Sequence, residues 1–432
     1  MTFASNQINP LQAALSAHTG DEIPGRVRLS LRAPNGSHRL SRRSVNCHPA
    51  MSIAFELPPA ARPGQPVDAI DTPSLVVNLD AFARNVDRMQ AAADAAGVKL
   101  RPHAKAHKCP DVSLAQIGRG AVGICCQKVS EAAPFVRAGI RDIHISNEIA
   151  SLAKAALLAE LARHARMSVC VDDAAQVEVL AAAATAAGTA LDVFVEIDAG
   201  QGRCGVPDAS AALQLVERIA SHACLTHRGL QAYHGGIQHL RGWAERREGA
   251  ARAADRTGSV IARLDAAGVR CDVVTGGGSG SVEFDLTSGV YTEIQPGSYV
   301  FMDADYGSNA YTGTLRFEHS LFIATTVMSV AAGDRVVLDA GLKSMAVDSG
   351  LPWIWADGAA SASLDFVAAN DEHGIVKPRD ADARHSLPPL GSRMMLVPGH
   401  CDPTLNLYDE IVGVRAGVVE SVWPISARGL SR

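Results

Sequence analysis

Between residues 74 and 295 the chain alternates short runs rich in β-branched residues with amphipathic helical stretches, and this alternation confines it to few folds. Strands that follow one another through a helix pair in parallel, because the crossover returns the chain to the same end of the sheet. Eight such runs can be read, at residues 98–102, 121–125, 142–146, 167–171, 191–197, 229–233, 271–275 and 291–295. Eight parallel strands close into a (β/α)8 TIM-like barrel, whose reactive groups belong at the C-terminal ends of the strands.

An earlier apolar run at 75–79 has no slot in that barrel. It leads into a helix that Asp80 is expected to cap, with Phe82, Val86 and Met89 on one face. After about residue 312 the pattern changes to short strands without helices, at 321–330, 336–338 and 394–397, with a hairpin over 411–425 turning at Ala416 and Gly417. The expected organisation is a strand at 68–80 outside the barrel, an α/β barrel over 81–311 and a C-terminal mainly-β domain over 312–432. Residues 1–50, rich in arginine and serine and without a secretory apolar core, read as a disordered leader.

A formal net charge of −5 and a pI near 6.3 give no reason to expect nucleic acid or an anionic membrane as a partner. The alanine-rich stretch around Ala155 is broken by Glu160 and Arg163, short of a membrane span. Nine cysteines, such as Cys109, Cys170, Cys224 and Cys271, show neither paired CxxC spacing nor a dense disulfide framework. A cytoplasmic protein acting on a small molecule is the reading these features leave.

The strand ends carry the chemistry. The first run ends in RPHAKAHKC, with Lys105 at the barrel mouth. The seventh leads into Thr275, Gly276, Gly277, Gly278, Ser279, Gly280 and Ser281, whose backbone amides can surround a phosphate. A lysine and a phosphate-binding loop together suit a phosphorylated aldehyde cofactor. The fifth run leads to GQGRCGV, where Arg203 offers a permanent cation for a phenolate oxygen. The sixth ends in QAYHGG and continues to Gln238 and His239, so that Tyr233 can face a cofactor ring, and either His234 or His239 can act as a base. In PGHCDPT, the spacing of His400 and Asp402 puts both on one side of an extended segment, a nitrogen and oxygen pair suited to a divalent ion, with Cys401 facing away. A buried histidine paired to an aspartate accounts for the same two residues.

These stretches, together with DTPSLVVNLD from Asp71, GICCQKVSEA, IHISNE, VEIDAGQGRCGV, TGGGSGSVEFD, MDADYG, NDEHG and WPISARG, resemble the metal-activated D-threonine aldolases. That family sits within the fold type III pyridoxal-phosphate enzymes, which include alanine racemase and D-serine dehydratase. The resemblance implies the Schiff-base lysine at Lys105, the phenolic-oxygen contact at Arg203 and the pyridine-nitrogen contact at Tyr233. It implies phosphate binding at Thr275, Gly277, Gly278 and Ser279, metal ligation by His400 and Asp402, and a base acting on the substrate hydroxyl at His239. The implied reaction is aldol cleavage of D-3-hydroxy-amino acids, D-threonine giving glycine and acetaldehyde. The cofactors implied are pyridoxal 5′-phosphate and a divalent metal, manganese foremost, with magnesium, cobalt or zinc as alternatives. The resemblance also implies that the strand at 68–80 joins the β-domain before the chain enters the barrel, and by analogy with alanine racemases the assembly is a homodimer.

Nothing in the resemblance reaches residues before about Met51, and the stretch 348–384 matches only in part. The PGHCDP wording is shared with 3-hydroxy-D-aspartate aldolases. A dehydratase for D-serine or 3-hydroxy-D-aspartate uses similar machinery to expel the β-hydroxyl, and small barrels of this kind also act as non-catalytic carriers of the cofactor, though without an appended β-domain.

Overall fold

The computed structural model describes residues 57–432, so the leader expected at 1–50 lies outside the described residues. The first strand, β1 (Ser74–Asn78), runs into helix α1 (Leu79–Ala96). Its cap is Asn78 rather than Asp80: the Asn78 side chain accepts from the amides of Asp80 and Ala81, which leaves Asp80 in the first turn. Phe82, Val86 and Met89 are buried on the inner face.

Eight strands then follow in parallel: β2 (Lys99–Leu100), β3 (Ile124–Cys126), β4 (Asp142–Glu148), β5 (Arg166–Val171), β6 (Leu191–Glu196), β7 (Leu225–Ala232), β8 (Val273–Gly276) and β9 (Glu293–Ile294). Each overlaps one of the eight runs read from the sequence. Their order is β2-β9-β8-β7-β6-β5-β4-β3. The two ends meet where the amides of Val122 and Cys125 donate to the carbonyls of Leu100 and Pro102, both at 2.9 Å, so the sheet curls round on itself. The fold is a curled parallel sheet of eight strands with a C-terminal mainly-β domain.

At the N-terminal end of these strands, charged side chains link neighbours around the sheet. Arg101 lies 2.9 Å from Glu293 and 2.6 Å from Asp142; Arg166 reaches Asp142 at 3.6 Å and Asp192 at 2.6 Å; Arg228 reaches Asp192 at 2.9 Å. Gly123 allows the crossing, since a Cβ there would stand 2.6 Å from an Arg101 nitrogen. This end is laced by structural ion pairs.

The β-domain contains β10 (Leu321–Ser329), β11 (Val336–Leu338), β12 (Trp353–Ala356), β13 (Ala359–Ala360), β14 (Leu364–Ala369), β15 (Gly374–Pro378), β16 (Arg393–Val397), β17 (Glu410–Arg415) and β18 (Val418–Pro424). Strand β1 enters this sheet, antiparallel to β10 and parallel to β17. The chain thus passes through the β-sheet before its barrel begins. The β17–β18 hairpin turns at Ala416 and Gly417, both with positive φ (48° and 77°), the geometry that matches the twist of the strands it joins. Strands β12 to β15 were not read from the sequence.

Candidate active site

Strand β2 is short because its chain turns at once into the pocket. His103 ends the extended stretch and its Nδ1 accepts the Lys105 amide at 3.3 Å, while Nε2 meets Ser146 Oγ at 2.8 Å. Burial, reinforced by the Lys105 charge, holds the His103 imidazole well below its usual range and so neutral. The short 3-10 turn Ala104–Ala106 that follows aims Lys105 at Asp402, with Nζ 2.6 Å from Oδ2. Burial alone would lower the ammonium, but the Asp402 carboxylate reverses this and holds it above an ordinary lysine. Burial would likewise raise Asp402, and Lys105 holds it below the usual carboxylate range.

Lys105 lines a cavity of about 420 Å³ together with Arg203, Tyr233, His239 and the loop residues Gly277, Gly278 and Ser279. Arg203 lies over the Tyr233 ring, 5.4 Å from its centroid, and 3.8 Å from the buried Glu196. Burial raises the Tyr233 phenol, opposed by the Lys105 and Arg203 charges, so Tyr233 is neutral. His239 faces this cavity; His234 is not among its lining residues.

The glycine loop is shaped from behind. A Cβ on Gly277 would stand 2.6 Å from Asp285 Oδ2, and one on Gly278 2.6 Å from the Gln238 carboxamide. The Gly278 amide donates to Asp285 at 3.2 Å, and Ser279 Oγ accepts the Tyr299 amide at 2.9 Å. Thr275 is placed elsewhere. As a β8 residue pointing into the barrel, it donates its hydroxyl to Glu293 (2.9 Å) and accepts from Gln295 (2.8 Å), away from the cavity.

His400 and Asp402 line an adjoining hollow that shares Lys105 and Gln127 with the first. Only His400 is extended; Cys401–Leu405 forms a short helical turn, which Pro403 favours early in a helix, so the expected extended segment is corrected. Cys401 does not face away: its thiol lies 3.3 Å from Asp402 Oδ1. His400 Nδ1 is held by Asp348 Oδ2 at 2.7 Å, leaving Nε2 as the ring's other ligating nitrogen.

Several residues here had no role in the sequence reading. Asp305 holds His239 through Nδ1, and Gln295 donates to Gln231 across the barrel at 2.8 Å. Glu148, Asp172 and Cys204 place one ligand atom each within 4.8 Å of one another. Beside them burial and Glu148 push the Glu196 carboxyl up to about 9. Asp305 lies in the resembling stretch MDADYG, Glu148 in IHISNE, Gln231 in QAYHGG, and Glu196 and Cys204 in VEIDAGQGRCGV, whereas Asp172 and Gln295 lie outside these motifs.

The model of the alanine racemase N-terminal domain matches residues 77–305, and that of a putative serine dehydratase domain matches residues 320–414. D-threonine aldolase of Arthrobacter sp is 53% identical over 376 residues, spanning 87% of this chain and 97% of the relative. The chain belongs to the D-threonine aldolase family. The 3-hydroxy-D-aspartate aldolase of Paracoccus denitrificans is 42% identical over 384 residues, 87% of this chain and 96% of the relative. The solved D-threonine aldolase from Filomicrobium marinum superposes with a TM-score of 0.83 at 45% identity, covering 87% of this chain and all of that one. As a member of this aldolase family the protein is a carbon–carbon lyase.

The family's fold implies pyridoxal phosphate, and the cavity fits it. An amine that can condense with an aldehyde, a guanidinium, a neutral phenol and a loop with no side chains on two successive residues all face one space. The His400 and Asp402 pair, with an imidazole nitrogen and a carboxylate, fits a divalent metal of the intermediate class. No helix among the described residues is long and apolar enough to cross a membrane.

Proposed function

We propose that this enzyme cleaves the Cα–Cβ bond of D-3-hydroxy-amino acids with a neutral β-substituent, D-threonine among them, releasing glycine and an aldehyde. The observation that carries the reading is the position of Lys105, which lines both the glycine-loop cavity and the hollow of His400 and Asp402. A substrate amine exchanged at Lys105 would have its β-hydroxyl within the reach of metal ligands on one side and His239 on the other.

Lys105 would carry the cofactor covalently, Arg203 would meet its phenolic oxygen, and Gly277, Gly278 and Ser279 its phosphate. His400 and Asp402 would hold manganese, with magnesium, cobalt or zinc as substitutes. When bound, the cofactor supplies a sink for the electron pair of the breaking bond, and the metal acidifies a hydroxyl bound to it. His239 takes the proton of the β-hydroxyl. Tyr233, being neutral, adds no positive charge at the ring nitrogen, which tempers delocalisation and protects the α-carbon's configuration.

The neutral side chain is favoured by the walls of the metal-side hollow, where Ala346, Val347 and Pro403 stand beside the Asp348 carboxylate. Its lysines are already engaged, Lys105 by the cofactor it would carry and Lys108 by Glu131 at 2.9 Å. Apart from the metal itself, a second carboxylate on the substrate would find no free cationic side chain among the described residues of this hollow and would face the Asp348 carboxylate.

We further infer a homodimer in the cytoplasm. The eight described cysteines are all free thiols, in keeping with a reducing compartment, and Leu351 and Val367 expose apolar surface along one β-domain hollow. Light scattering on the purified protein tests the dimer.

The deciding experiment supplies purified protein with pyridoxal phosphate and manganese, and offers D-threonine, L-threonine and 3-hydroxy-D-aspartate separately. Glycine with acetaldehyde from D-threonine, and little turnover of the other two, is the expected result. A 2-oxo acid with ammonia would transfer the protein to the dehydratases, and brisk cleavage of 3-hydroxy-D-aspartate would overturn the neutral side chain.

A further inference from the structure

Two aspartates that line neither cavity tie its base to its metal ligands. Asp303 and Asp305 bracket the start of a short helical turn, Ala304–Gly307. Met302 before them has a positive φ of 53°, a costly conformation for a side chain of this kind, and it turns the chain so that both aspartates point inward. Asp305 is 4% exposed, and its two carboxylate oxygens are both used: Oδ2 by His239 Nδ1, Oδ1 by Arg241. Arg241 also donates to the Asn309 side chain at 2.9 Å, which fixes the guanidinium against its partner.

The same turn grips the loop that precedes Asp402. The Ala304 amide donates to the Pro398 carbonyl at 3.0 Å and the Asp305 amide to that of Gly399 at 3.1 Å. Asp303, fully buried, accepts the Cys401 amide on Oδ2 at 2.8 Å and the Tyr306 amide on Oδ1 at 2.9 Å. Cys401 is the residue between His400 and Asp402. One turn of chain is therefore bonded at once to the imidazole in the cofactor cavity and to the backbone between the two metal ligands.

We propose that Asp305 is the positioning residue for His239, and that the Asp303–Asp305 turn sets the distance between this base and the metal ligands. The inference rests on the reading of His239 as the base on the β-hydroxyl. With Nδ1–H donated to Asp305, the tautomer is fixed and the Nε2 lone pair is left to receive a proton. In the step itself the β-hydroxyl proton passes to Nε2 and the O–H electrons become the carbonyl bond of the departing aldehyde, while the bound cofactor would supply the sink for the Cα–Cβ pair. Asp305 stays ionised throughout, held so by Arg241, and stabilises the imidazolium.

The charged groups facing His239 are Asp305, Asp303 and Arg241, with the Tyr306 ring packed 5.7 Å away. Asp305, through its hydrogen bond, raises the imidazole, opposed by burial and by Arg241. Removing the carboxylate therefore lowers it.

The test compares wild type, D305N, D305E and H239N as full-length holoenzymes, and follows the His239 ring by nitrogen NMR of histidine-labelled protein. In D305N, kcat should fall roughly 100-fold or more with little change in KM, and the acid limb of kcat/KM should move to lower pH. The NMR titration of His239 should move the same way, and D305E should restore part of both. Unmoved titration and pH limb in D305N would overturn the positioning role, whatever happened to kcat. If D305N moves the titration but H239N cleaves D-threonine at the wild-type rate, the dyad stands as a structure and the reading of His239 as base falls. Metal affinity measured with manganese alone reads the second half: D303A should weaken it roughly tenfold with the cofactor's absorbance retained, and an unchanged affinity would remove Asp303 from the proposal.

Discussion

The Lys105 ammonium lies 2.6 Å from the Asp402 carboxylate, so the residue proposed to carry the cofactor is ion-paired to one proposed to hold the metal. While that pair persists, a metal ion must compete with the ammonium for Asp402. Attachment of the cofactor at Lys105 would remove the free ammonium and so release the carboxylate. Binding of manganese, followed by the paramagnetic signal of the free ion, should be about tenfold tighter in the cofactor-loaded protein than in the apoprotein, a coupling of about 1.4 kcal/mol. Linkage requires manganese to tighten cofactor binding by the same factor. The K105A apoprotein should match the loaded wild type in metal affinity, and equal affinities in all three forms would dissolve the coupling.

Asp348 reaches His400 from an exposed position, 2.7 Å from Nδ1. Carboxylates of this kind orient a ligating imidazole and raise its basicity. D348N should weaken manganese binding by roughly 10- to 100-fold while the cofactor's visible absorbance stays as in wild type. An affinity within twofold of wild type would show that His400 needs no such support, or is not a ligand.

Asp285 lies under the glycine loop, and burial raises its carboxyl to about 7, opposed by the Ser281 hydroxyl and Gly278 amide. The folded protein keeps this proton over a range where the unfolded chain has released it. Its contribution to stability is therefore full below about pH 4, declines as pH rises towards 7, and is flat above that. The whole effect amounts to roughly 4 kcal/mol at most. D285N has no such proton to lose, so the melting temperature of its apoprotein relative to wild type should climb between pH 5 and pH 8. A difference that does not vary with pH would mean that Asp285 titrates normally.

The barrel was legible in the sequence because a crossover helix after every strand leaves a periodicity that survives differences in strand length. Even β2, reduced to Lys99–Leu100 by the turn that presents Lys105, lay within its expected run. Strands β12 to β15 were not legible: β13 is two exposed alanines, and Asp365 and Lys377 keep β14 and β15 from forming continuous apolar runs. Their stability comes from pairing with β16 and β11, which no local pattern encodes. The cap on α1 went to Asn78 over Asp80, a shift of two residues that composition cannot decide.

Within the site, residues at strand ends could be read one at a time, and Lys105, Arg203, Tyr233 and His239 do meet in one cavity. Partners across the chain could not be. Asp305 lies 66 positions from His239, and Asp402 lies 297 from Lys105, so only folding reveals either pairing. Thr275 shows the converse limit. Sitting two residues before Gly277 in the loop sequence, it belongs to the strand, where alternation of side chains turns its hydroxyl into the barrel.

The ion-paired end of the barrel offers a prediction about stability alone. Arg101 is 11% exposed and bridges Glu293, 6% exposed, to Asp142. In R101M the Glu293 carboxylate would remain buried with only the Thr275 hydroxyl donating to it, and a buried ion deprived of its partner costs roughly 3–5 kcal/mol. Arg166, in the same belt, is 54% exposed, and its pairs with Asp142 and Asp192 are screened by solvent. R166M should therefore cost under about 1 kcal/mol. Urea denaturation of the apoproteins measures both, and the double variant R101M/E293Q should recover much of the loss because it removes the stranded charge. Equal costs for R101M and R166M would show that burial does not set the strength of these pairs, and a double variant no better than R101M would show that the loss comes from packing around Arg101 rather than from the unpaired carboxylate.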